Sequence, residues 1–270
     1  MKKRVLAGVV ASALLAAPAF AAPPASIWTW NGFYVGAQGG YGWDRSIATV
    51  TAQQLCSPGP ACGPLISPPV MDPNNAPFAS FPLQFDSGTL KGPTGGVTVG
   101  WNWQNGRVVF GVEGDASWGS ITGTHECVNA AKFLFGFGYQ GDCSGKLRSF
   151  ETVTGRVGLT VDRALLYVKA GGAAGQFNHQ VLDMTTAGGP GPYTAFKDNR
   201  WGYTVGAGIE YAIWNNWSIK LEYNYMDFGT KNIDFPLTLT MAPGVWHQFA
   251  NDRERVSVLK GGVNWRFSWN

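Results

Sequence analysis

The feature that most constrains this chain is a strict alternation of side-chain character in its C-terminal half. From position 217, large apolar or aromatic residues alternate with polar ones, the first set being Trp217, Ile219, Leu221, Tyr223 and Tyr225 and the second Ser218, Lys220, Glu222 and Asn224. Successive side chains of a β-strand point to opposite faces. The pattern therefore predicts a strand with one apolar and one polar face. Residues 201–213 repeat it, with a tight turn at 214–216 between the two segments.

Six further segments show the same alternation more weakly, at residues 32–44, 92–103, 107–120, 147–161, 164–178 and 253–267. The connections between the eight segments differ regularly in length. Short ones at 104–106, 162–163 and 214–216 alternate with long ones at 45–91, 121–146, 179–199 and 231–252. Short periplasmic turns and longer outer loops are typical of membrane barrels. We therefore predict an all-β fold over residues 32–270, an eight-stranded antiparallel up-and-down transmembrane β-barrel with long outer loops.

The composition favours the same class of fold. The chain has 37 Gly, 12 Trp and 16 Phe, and only 14% of its residues are charged. Few charges and many aromatic residues fit strands that turn one face to lipid. The net charge of +3 is spread along the chain without a basic cluster, which argues against a nucleic-acid partner.

The first residues carry an export pattern. Lys2, Lys3 and Arg4 precede a short apolar run over residues 5–17, and Ala19-Phe20-Ala21 supplies the small-x-small site of signal peptidase. We predict a cleaved signal peptide at 1–21 and a periplasmic N-terminal segment at 22–31. A retained membrane anchor is the alternative, although the apolar run is shorter than the roughly 20 residues that a spanning helix needs.

Charged residues fall on the predicted inward faces of several strands. An eight-stranded barrel is narrow enough for side chains to fill it, and an unpaired charge there is costly. We predict a network of ion pairs and a plugged lumen, with a narrow pore as the alternative. Arg266, near the periplasmic mouth, is expected to be solvated. The residues of the predicted network are Glu113, Asp115, Arg156, Lys169, Glu210, Lys220, Glu222 and Lys260.

Aromatic residues near the strand ends are predicted to form girdles at the two membrane interfaces, where rings with a polar edge are favoured. Those near short turns or the C-terminus are assigned to the periplasmic side and the others to the outer side. The set comprises Trp43, Trp103, Trp118, Trp201, Trp214, Trp217, Trp265 and Phe267.

Four cysteines fall in predicted outer loops. An oxidising periplasm favours two loop disulfides, and of three possible connectivities the two local pairs are preferred. Zinc ligation is the alternative, but neither spacing matches a C-x₂-C knuckle. The pairs are Cys56 with Cys62 and Cys127 with Cys143.

The histidines offer a second possible site. His125, His179 and His247 lie in three different predicted outer loops, so a metal or haem site would require those loops to converge. Scattered surface histidines are the simpler interpretation. No serine and histidine form a recognisable nucleophile motif. We therefore expect no catalytic residues, no metal and no cofactor.

Several passages resemble a known family. They are residues 31–36 (NGFYVG), 110–115 (FGVEGD), 154–158 (TGRVG), 202–211 (GYTVGAGIEY) and 216–223 (NWSIKLEY). As a set they are similar to the outer-membrane β-barrel proteins of rhizobia, Brucella and their relatives, also described as porin-family or OmpA-like barrels. A departure from that family is Ser268-Trp269-Asn270, which follows the aromatic residue on which such barrels usually end.

The resemblance implies an abundant envelope protein that supports membrane integrity and displays surface loops. Some relatives are described as porins or haem binders, which leaves a narrow porin or a surface binding module as alternative functions. The implied partners are outer-membrane lipid and, during biogenesis, the barrel-assembly machinery. We expect a monomer and no enzymatic activity.

Overall fold

The computed structural model describes residues 28–44, 47–56, 84–86, 90–128, 140–184, 190–238 and 245–267. The strands are β1 (Gly32–Asp44), β2 (Ile47–Cys56), β3 (Gln84–Asp86), β4 (Lys91–Asn105), β5 (Val108–Val128), β6 (Gln140–Val161), β7 (Ala164–Met184), β8 (Pro190–Trp214), β9 (Trp217–Thr238) and β10 (Val245–Arg266). Within these ranges, no helix is long and apolar enough to cross a membrane. The predicted signal peptide and Cys62 lie outside the described residues.

Eight of these strands form a closed antiparallel ring. Neighbours follow in the order β1, β4, β5, β6, β7, β8, β9 and β10, and β1 pairs with β10 from Tyr34↔Arg266 to Asp44↔Val256. Closure supplies backbone partners on both sides of each strand, which is the condition for placing strands in lipid. The predicted eight-stranded up-and-down barrel is confirmed.

Strands β2 and β3 prolong the ring. β2 continues along β10 from Ile47↔Arg253, just beyond the point where β1 ends at Asp44↔Val256. β3, which precedes β4 in the sequence, pairs antiparallel with β2 from Ile47↔Asp86 to Thr49↔Gln84. The expectation that residues 45–91 form one long loop is thus wrong for these two stretches, because they extend the neighbouring strands.

The ring has two distinct ends. Two-residue turns at 106–107, 162–163 and 215–216 define one end, which we call the turn end. The first residue of two of these turns has a positive φ, at 60° for Gly106 and 51° for Asp162, and both residue types tolerate this conformation. The predicted short turns are confirmed to within two residues. The opposite end, where the long connections lie, is the loop end.

The predicted long loops are much shorter than expected. Paired strand fills most of 121–146, 179–199 and 231–252, and only 129–139, 185–189 and 239–244 of these stretches lie outside the described residues. The ring therefore extends well beyond the segments that show apolar alternation.

Side chains sort by face as the alternation predicts. On β9, Trp217, Ile219, Leu221 and Tyr223 face outward and are 40–52% exposed. Their polar neighbours face inward and are at most 4% exposed, namely Ser218, Lys220, Glu222 and Asn224. The outer wall is apolar, and the interior contains the polar groups.

The alternation inverts towards the loop end. Ile121, Leu147 and Phe177 are buried inside the barrel, whereas their outward neighbours are polar, namely Thr122, Lys146 and Asn178. Register shifts between Trp118 and Ile121 and between Leu147 and Ser149 accompany the change on β5 and β6. On β6 the inward positions change from even numbers (Phe150) to odd numbers (Leu147) across the shift, whereas on β5 and β7 they stay odd and change only from polar to apolar. The loop-end part of the ring therefore resembles a water-soluble barrel with an apolar core.

Two glycines make room for tyrosines inside the barrel. A Cβ atom at Gly100 would lie 2.3 Å from the hydroxyl oxygen of Tyr34, and one at Gly208 would lie 2.6 Å from that of Tyr167. Both tyrosines are buried. These glycines are required by close approach of a ring to the opposing backbone.

Candidate functional site

The candidate site is the filled interior of the barrel. Because inward side chains follow one another along each strand, their order gives their depth. Along β10 from the turn end, the inward side chains are polar or charged (Arg266, Asn264, Lys260), then apolar (Val258, Val256), then acidic (Glu254, Asp252). The other strands follow a compatible order, so the interior consists of stacked layers.

Lys169 lies at the centre of the charged layer. Its Nζ is 2.7 Å from Oε1 of Glu113, 2.9 Å from Oδ2 of Asp115 and 2.8 Å from Oε1 of Glu222. The four residues come from β5, β7 and β9, so this contact ties together non-adjacent strands across the lumen. All four side chains are fully buried.

The other bases surround this centre. Lys260 Nζ lies 3.1 Å from Glu222 and 3.5 Å from Asp115, and Lys220 Nζ lies 3.7 Å from Glu113. Arg156 connects the remaining acid, Glu210, to the network, because its Nη1 lies 3.4 Å from Glu210 and 3.2 Å from Glu113. The structure thus brings all eight residues of the sequence-derived set together inside the barrel.

Uncharged donors complete the charged layer. Tyr34 donates its hydroxyl to Glu113 at 2.6 Å, and Tyr167 donates to Glu222 at 2.7 Å. Gln38 donates to Asp115 at 3.0 Å. A buried carboxylate with several such partners costs far less than an isolated one. The network predicted from the sequence did not include Tyr34 and Tyr167, although both occupy inward positions of predicted strands.

A tryptophan cap closes the turn end. Trp30 is fully buried against Val109, Leu165, Tyr167 and Ala212, and Trp28 packs beside this cluster. The backbone N–H of Trp30 donates to Oε1 of Gln104 at 2.7 Å, which anchors the segment to β4. Residues 28–31 therefore enter the barrel mouth.

The expectation that Arg266 is solvated is wrong. Arg266 is only 4% exposed, because the tryptophan cap covers it. Its guanidinium lies 4.6 Å from the centre of the Trp30 ring and 3.7 Å from Glu210, and it donates to the backbone oxygen of Thr29 at 3.1 Å. With Arg266 included, the charged layer contains five bases against four acids.

An apolar layer lies on the other side of the charged layer, towards the loop end. Phe177 and Phe228 pack edge to face with ring centres 5.2 Å apart. The sequence reading assigned apolar residues to the lipid face and therefore missed this layer. Its members are Leu90, Ile121, Leu147, Phe150, Ala173, Phe177, Met226, Phe228, Val256 and Val258.

A polar rim follows beyond the apolar layer. Arg200 donates from Nε to Asp198 at 2.6 Å and from Nη2 to Asp252 at 2.7 Å. His179 lies beside this pair, with Nε2 at 4.0 Å from Glu254. At this level the outward side chains of β10 are Arg253 and Arg255, which places the rim outside the apolar band of the outer wall.

Two rim groups titrate abnormally. Burial raises the pKa of Glu254 well above the usual carboxyl value, and Asp44 and Asp252 raise it further. Burial lowers the pKa of His179, and Arg200 lowers it too, against the opposing effect of Asp252. In both groups the folded barrel favours the neutral form more than the unfolded chain does.

Among the side chains that the structure describes, two groups have the composition of a metal site. One is Glu113, Asp115 and Glu222, whose ligand atoms lie within 4.8 Å of one another, but the ammonium of Lys169 already occupies the position between them. The other is His179, Asp252 and Glu254 in the rim, where Arg200 binds Asp252. Each group has an internal cation beside its carboxylates.

The predicted interface aromatics all lie on the outer wall. Trp103, Trp214, Trp217, Trp265 and Phe267 lie near the turn end; Trp43, Trp118 and Trp201 lie towards the loop end. The tryptophans are 36–82% exposed. Their position at membrane interfaces stays a prediction.

The cysteines and histidines predicted in loops lie on strands where the structure describes them. Cys56 ends β2, Cys127 pairs with Gly141, and Cys143 pairs with His125. Cys127 and Cys143 are thus diagonal neighbours on adjacent strands, and a disulfide between them stays a prediction. His247 lies on β10. The side chains of these residues lie outside the described part of the chain.

A sequence profile of the family described as outer membrane protein beta-barrel domain matches residues 12–267. The chain belongs to this family. It is 32% identical over 201 residues to the 31 kDa outer-membrane immunogenic protein of Brucella melitensis, covering 71% of this chain and 76% of that protein. It is also 35% identical over 140 residues to the 22 kDa outer membrane protein of Rhizobium leguminosarum bv. viciae, covering 52% and 54%. As a member of this family, the chain is located in the outer membrane.

Two solved structures that align with most of this chain have low sequence identity to it. The attachment invasion locus protein Ail of Yersinia pestis is 13% identical, with 88% of this chain and 99% of that one covered and a TM-score of 0.34. The outer membrane protein OprG of Pseudomonas aeruginosa is 10% identical, with 88% and 97% covered and a TM-score of 0.43.

Proposed function

We propose that this chain is a structural protein of the outer membrane, a closed barrel that supports the envelope and displays its loop-end connections at the cell surface. In this proposal the turn end faces the periplasm, as in other barrels with short turns on one side and long connections on the other. The barrel is a monomer in lipid, inserted by the assembly machinery, and it carries out no catalytic step.

The observation that supports this proposal best is the filling of the barrel by successive layers. A solute entering from the loop end would meet the polar rim, the apolar layer, the charged layer and the tryptophan cap in turn. Lys169, with three carboxylates around its ammonium, joins opposite walls of the barrel. To open a path, this ammonium would have to leave partners that replace its hydration, and breaking a buried pair of this kind is strongly unfavourable.

Conductance measurements test the closed interior. We expect purified, folded protein in planar lipid bilayers to give no steady current above that of the bilayer. A barrel with Lys169 and Phe177 both changed to Gly is the matched comparison, because it loses the centre of the charged layer and part of the apolar layer. Discrete, reproducible steps from the unmodified protein would overturn the closed-barrel proposal and favour a narrow pore.

A cellular experiment tests the supporting role. Cells that lack the protein should become more sensitive to detergents, and the wild-type gene should restore resistance. A gene encoding the Lys169→Gly, Phe177→Gly variant tests whether the closed interior is needed for this resistance, provided that the variant protein reaches the membrane in the same amount as the wild type. Unchanged detergent sensitivity in cells lacking the protein would count against a structural role.

A further inference from the structure

The outward face of the barrel is basic just beyond its apolar band at the loop end. Six side chains form what we call the basic collar: Lys91, Lys146, Arg148, Lys197, Arg253 and Arg255. On each strand they alternate with residues that are buried inside, such as Leu147 beside Lys146 and Asp198 beside Lys197. Among the described side chains, the acids on this part of the outer face are Glu151 and Asp227. The collar therefore carries a clear positive excess.

Strand pairing gives the lysines a regular arrangement. Lys91 is opposite Thr122, Thr122 is opposite Lys146, Lys146 is opposite Asn178, and Asn178 is opposite Lys197. The three lysines thus occupy alternate strands of one row, about 10 Å apart at the usual strand spacing. Uncharged Thr122 and Asn178 stand between them. Lys91, Lys146 and Lys197 make no ion pair with any other described residue, so their charges are available to an external anion.

The arginines form the second part of the collar. Arg253 Nη2 lies 2.7 Å from Oδ2 of Asp227, and Arg255 Nε lies 3.6 Å from the same oxygen. A single carboxylate between two guanidiniums leaves one positive charge in excess. The two arginine side chains remain 46% and 38% exposed, so donors are left for a further acceptor. Guanidinium groups suit phosphate because they can donate two parallel hydrogen bonds.

The position of the collar points to a lipid. Trp43, which is opposite Lys91 in the pairing of β1 with β4, is an outward aromatic of the kind that lies at headgroup level. Bases directly beyond such residues lie where the headgroups carry their charge. The turns at the other end carry fewer bases, with Arg107 and Arg163 beside Asp162. Positive charge on the outer face is thus concentrated at the loop end of the barrel.

We propose that the basic collar binds the phosphate groups of an anionic, phosphorylated glycolipid in the outer leaflet. The lysine row spans enough of the wall to contact more than one phosphate, while the acyl chains of the same lipid lie against the apolar face below. This inference rests on the orientation given under the proposed function, with the loop end at the cell surface. It does not depend on whether the lumen is closed.

The test uses the folded full-length barrel in a zwitterionic detergent, with native mass spectrometry to count bound lipid. The probes are purified diphosphorylated lipid A and the same lipid after removal of both phosphates. The collar variant changes Lys91, Lys146, Arg148 and Lys197 to Gln. A matched control changes Arg107 and Arg163 to Gln, removing bases from the turn end instead. Heat-dependent gel mobility verifies that each variant is folded.

We expect the unmodified barrel and the turn-end control to retain the phosphorylated lipid equally. The collar variant should bind it about tenfold or more weakly, since each base near a charged surface contributes appreciably to binding. Added salt should weaken binding to the unmodified barrel, and the dephosphorylated lipid should bind poorly. Equal binding by the collar variant, or equal binding of the two lipids, would overturn the inference. A conducting barrel would contradict the proposed function but would leave this result intact.

Discussion

At the scale of single residues, Lys169 has the most demanding surroundings in the barrel. Its ammonium has three carboxylate partners within 2.9 Å, and no water-exposed surface compensates for their loss. Lys260 occupies the same layer but has two partners, at 3.1 and 3.5 Å. The two lysines therefore form a matched pair for testing the charged layer.

Changing Lys169 to Met should destabilise the folded barrel by about 3–5 kcal/mol, the usual cost of leaving buried charges without their partner. The same change at Lys260 should cost less, because the partners are fewer and farther away. The free energy of unfolding is measured by urea titration of the protein in lipid vesicles. Equal stability of both variants and the unmodified protein would show that the network contributes nothing to the fold.

Glu254 makes the stability of the loop end depend on pH. Burial raises its pKa, as do Asp44 from β1 and Asp252 from its own strand, while Arg200 from β8 opposes this. A raised pKa means that the folded state binds this proton more tightly than the unfolded chain. The resulting stability is complete below the ordinary carboxyl pKa of about 4.3 and is lost as the pH rises through the raised folded value.

Glu254→Gln keeps a neutral side chain at every pH. We expect this variant to exceed the unmodified barrel in stability at alkaline pH, with the difference shrinking in acid. The urea midpoints of the two proteins are compared between about pH 4 and pH 9, the range in which buried carboxyl groups titrate. His179 is common to both proteins, so its own titration does not enter the difference directly. A constant difference across this range would contradict the assignment. Glu151→Gln, on the exposed outer face of β6, is the control.

At the scale of elements, the tryptophan cap is a short segment with a large effect on the turn end. Trp30→Ala should destabilise the barrel by about 3–5 kcal/mol, as expected when a buried aromatic ring is removed. The barrel should nevertheless remain non-conducting, since the charged and apolar layers are unchanged. Thermal unfolding and bilayer recordings measure the two effects. Trp214→Ala, with a ring 70% exposed on the outer wall, is the control and should cost less.

Sequence alone was sufficient for the membrane-facing part of each strand. There the lipid requires apolar outward residues, so Trp217, Ile219 and Leu221 produce an unmistakable period of two. The loop-end parts of the strands were missed because the rule reverses where lipid gives way to water. Ile121 and Leu147 are apolar residues at inward positions, and on β6 the register shift beside Leu147 also breaks the period. A rule that places apolar residues on the outside therefore predicts the end of the strand too early.

The interior was predictable only in part, for a related reason. Charged residues at inward positions, such as Glu222 and Lys220, have no other place in a lipid-bound strand, so they could be identified. The cap could not, because Trp30 precedes the first strand and shows no alternation. Arg266 was misjudged for the same reason, since its cover comes from that segment. The pair Trp28 and Trp30 just before β1 was the available signal.

At the scale of the whole molecule, closure of the ring makes unfolding cooperative. Each strand holds two neighbours, and β1 with β10 completes the circle. We expect unboiled protein in dodecyl sulfate to remain folded and to migrate differently from boiled protein on a gel. A single band at the same position before and after boiling, from a sample with β-sheet circular dichroism, would argue against a closed, detergent-resistant barrel.

The inverted stretch at the loop end has a consequence for how far the barrel reaches beyond its apolar band. The ring continues for about ten residues past the apolar band on β8 and β10, which corresponds to a height on the order of 25 Å for tilted strands. The barrel thus extends past the apolar band as a ring of paired strands with an apolar layer inside. Substitutions on the outer face of this extension can therefore be accepted, because the strand pairing and the apolar layer inside hold it together.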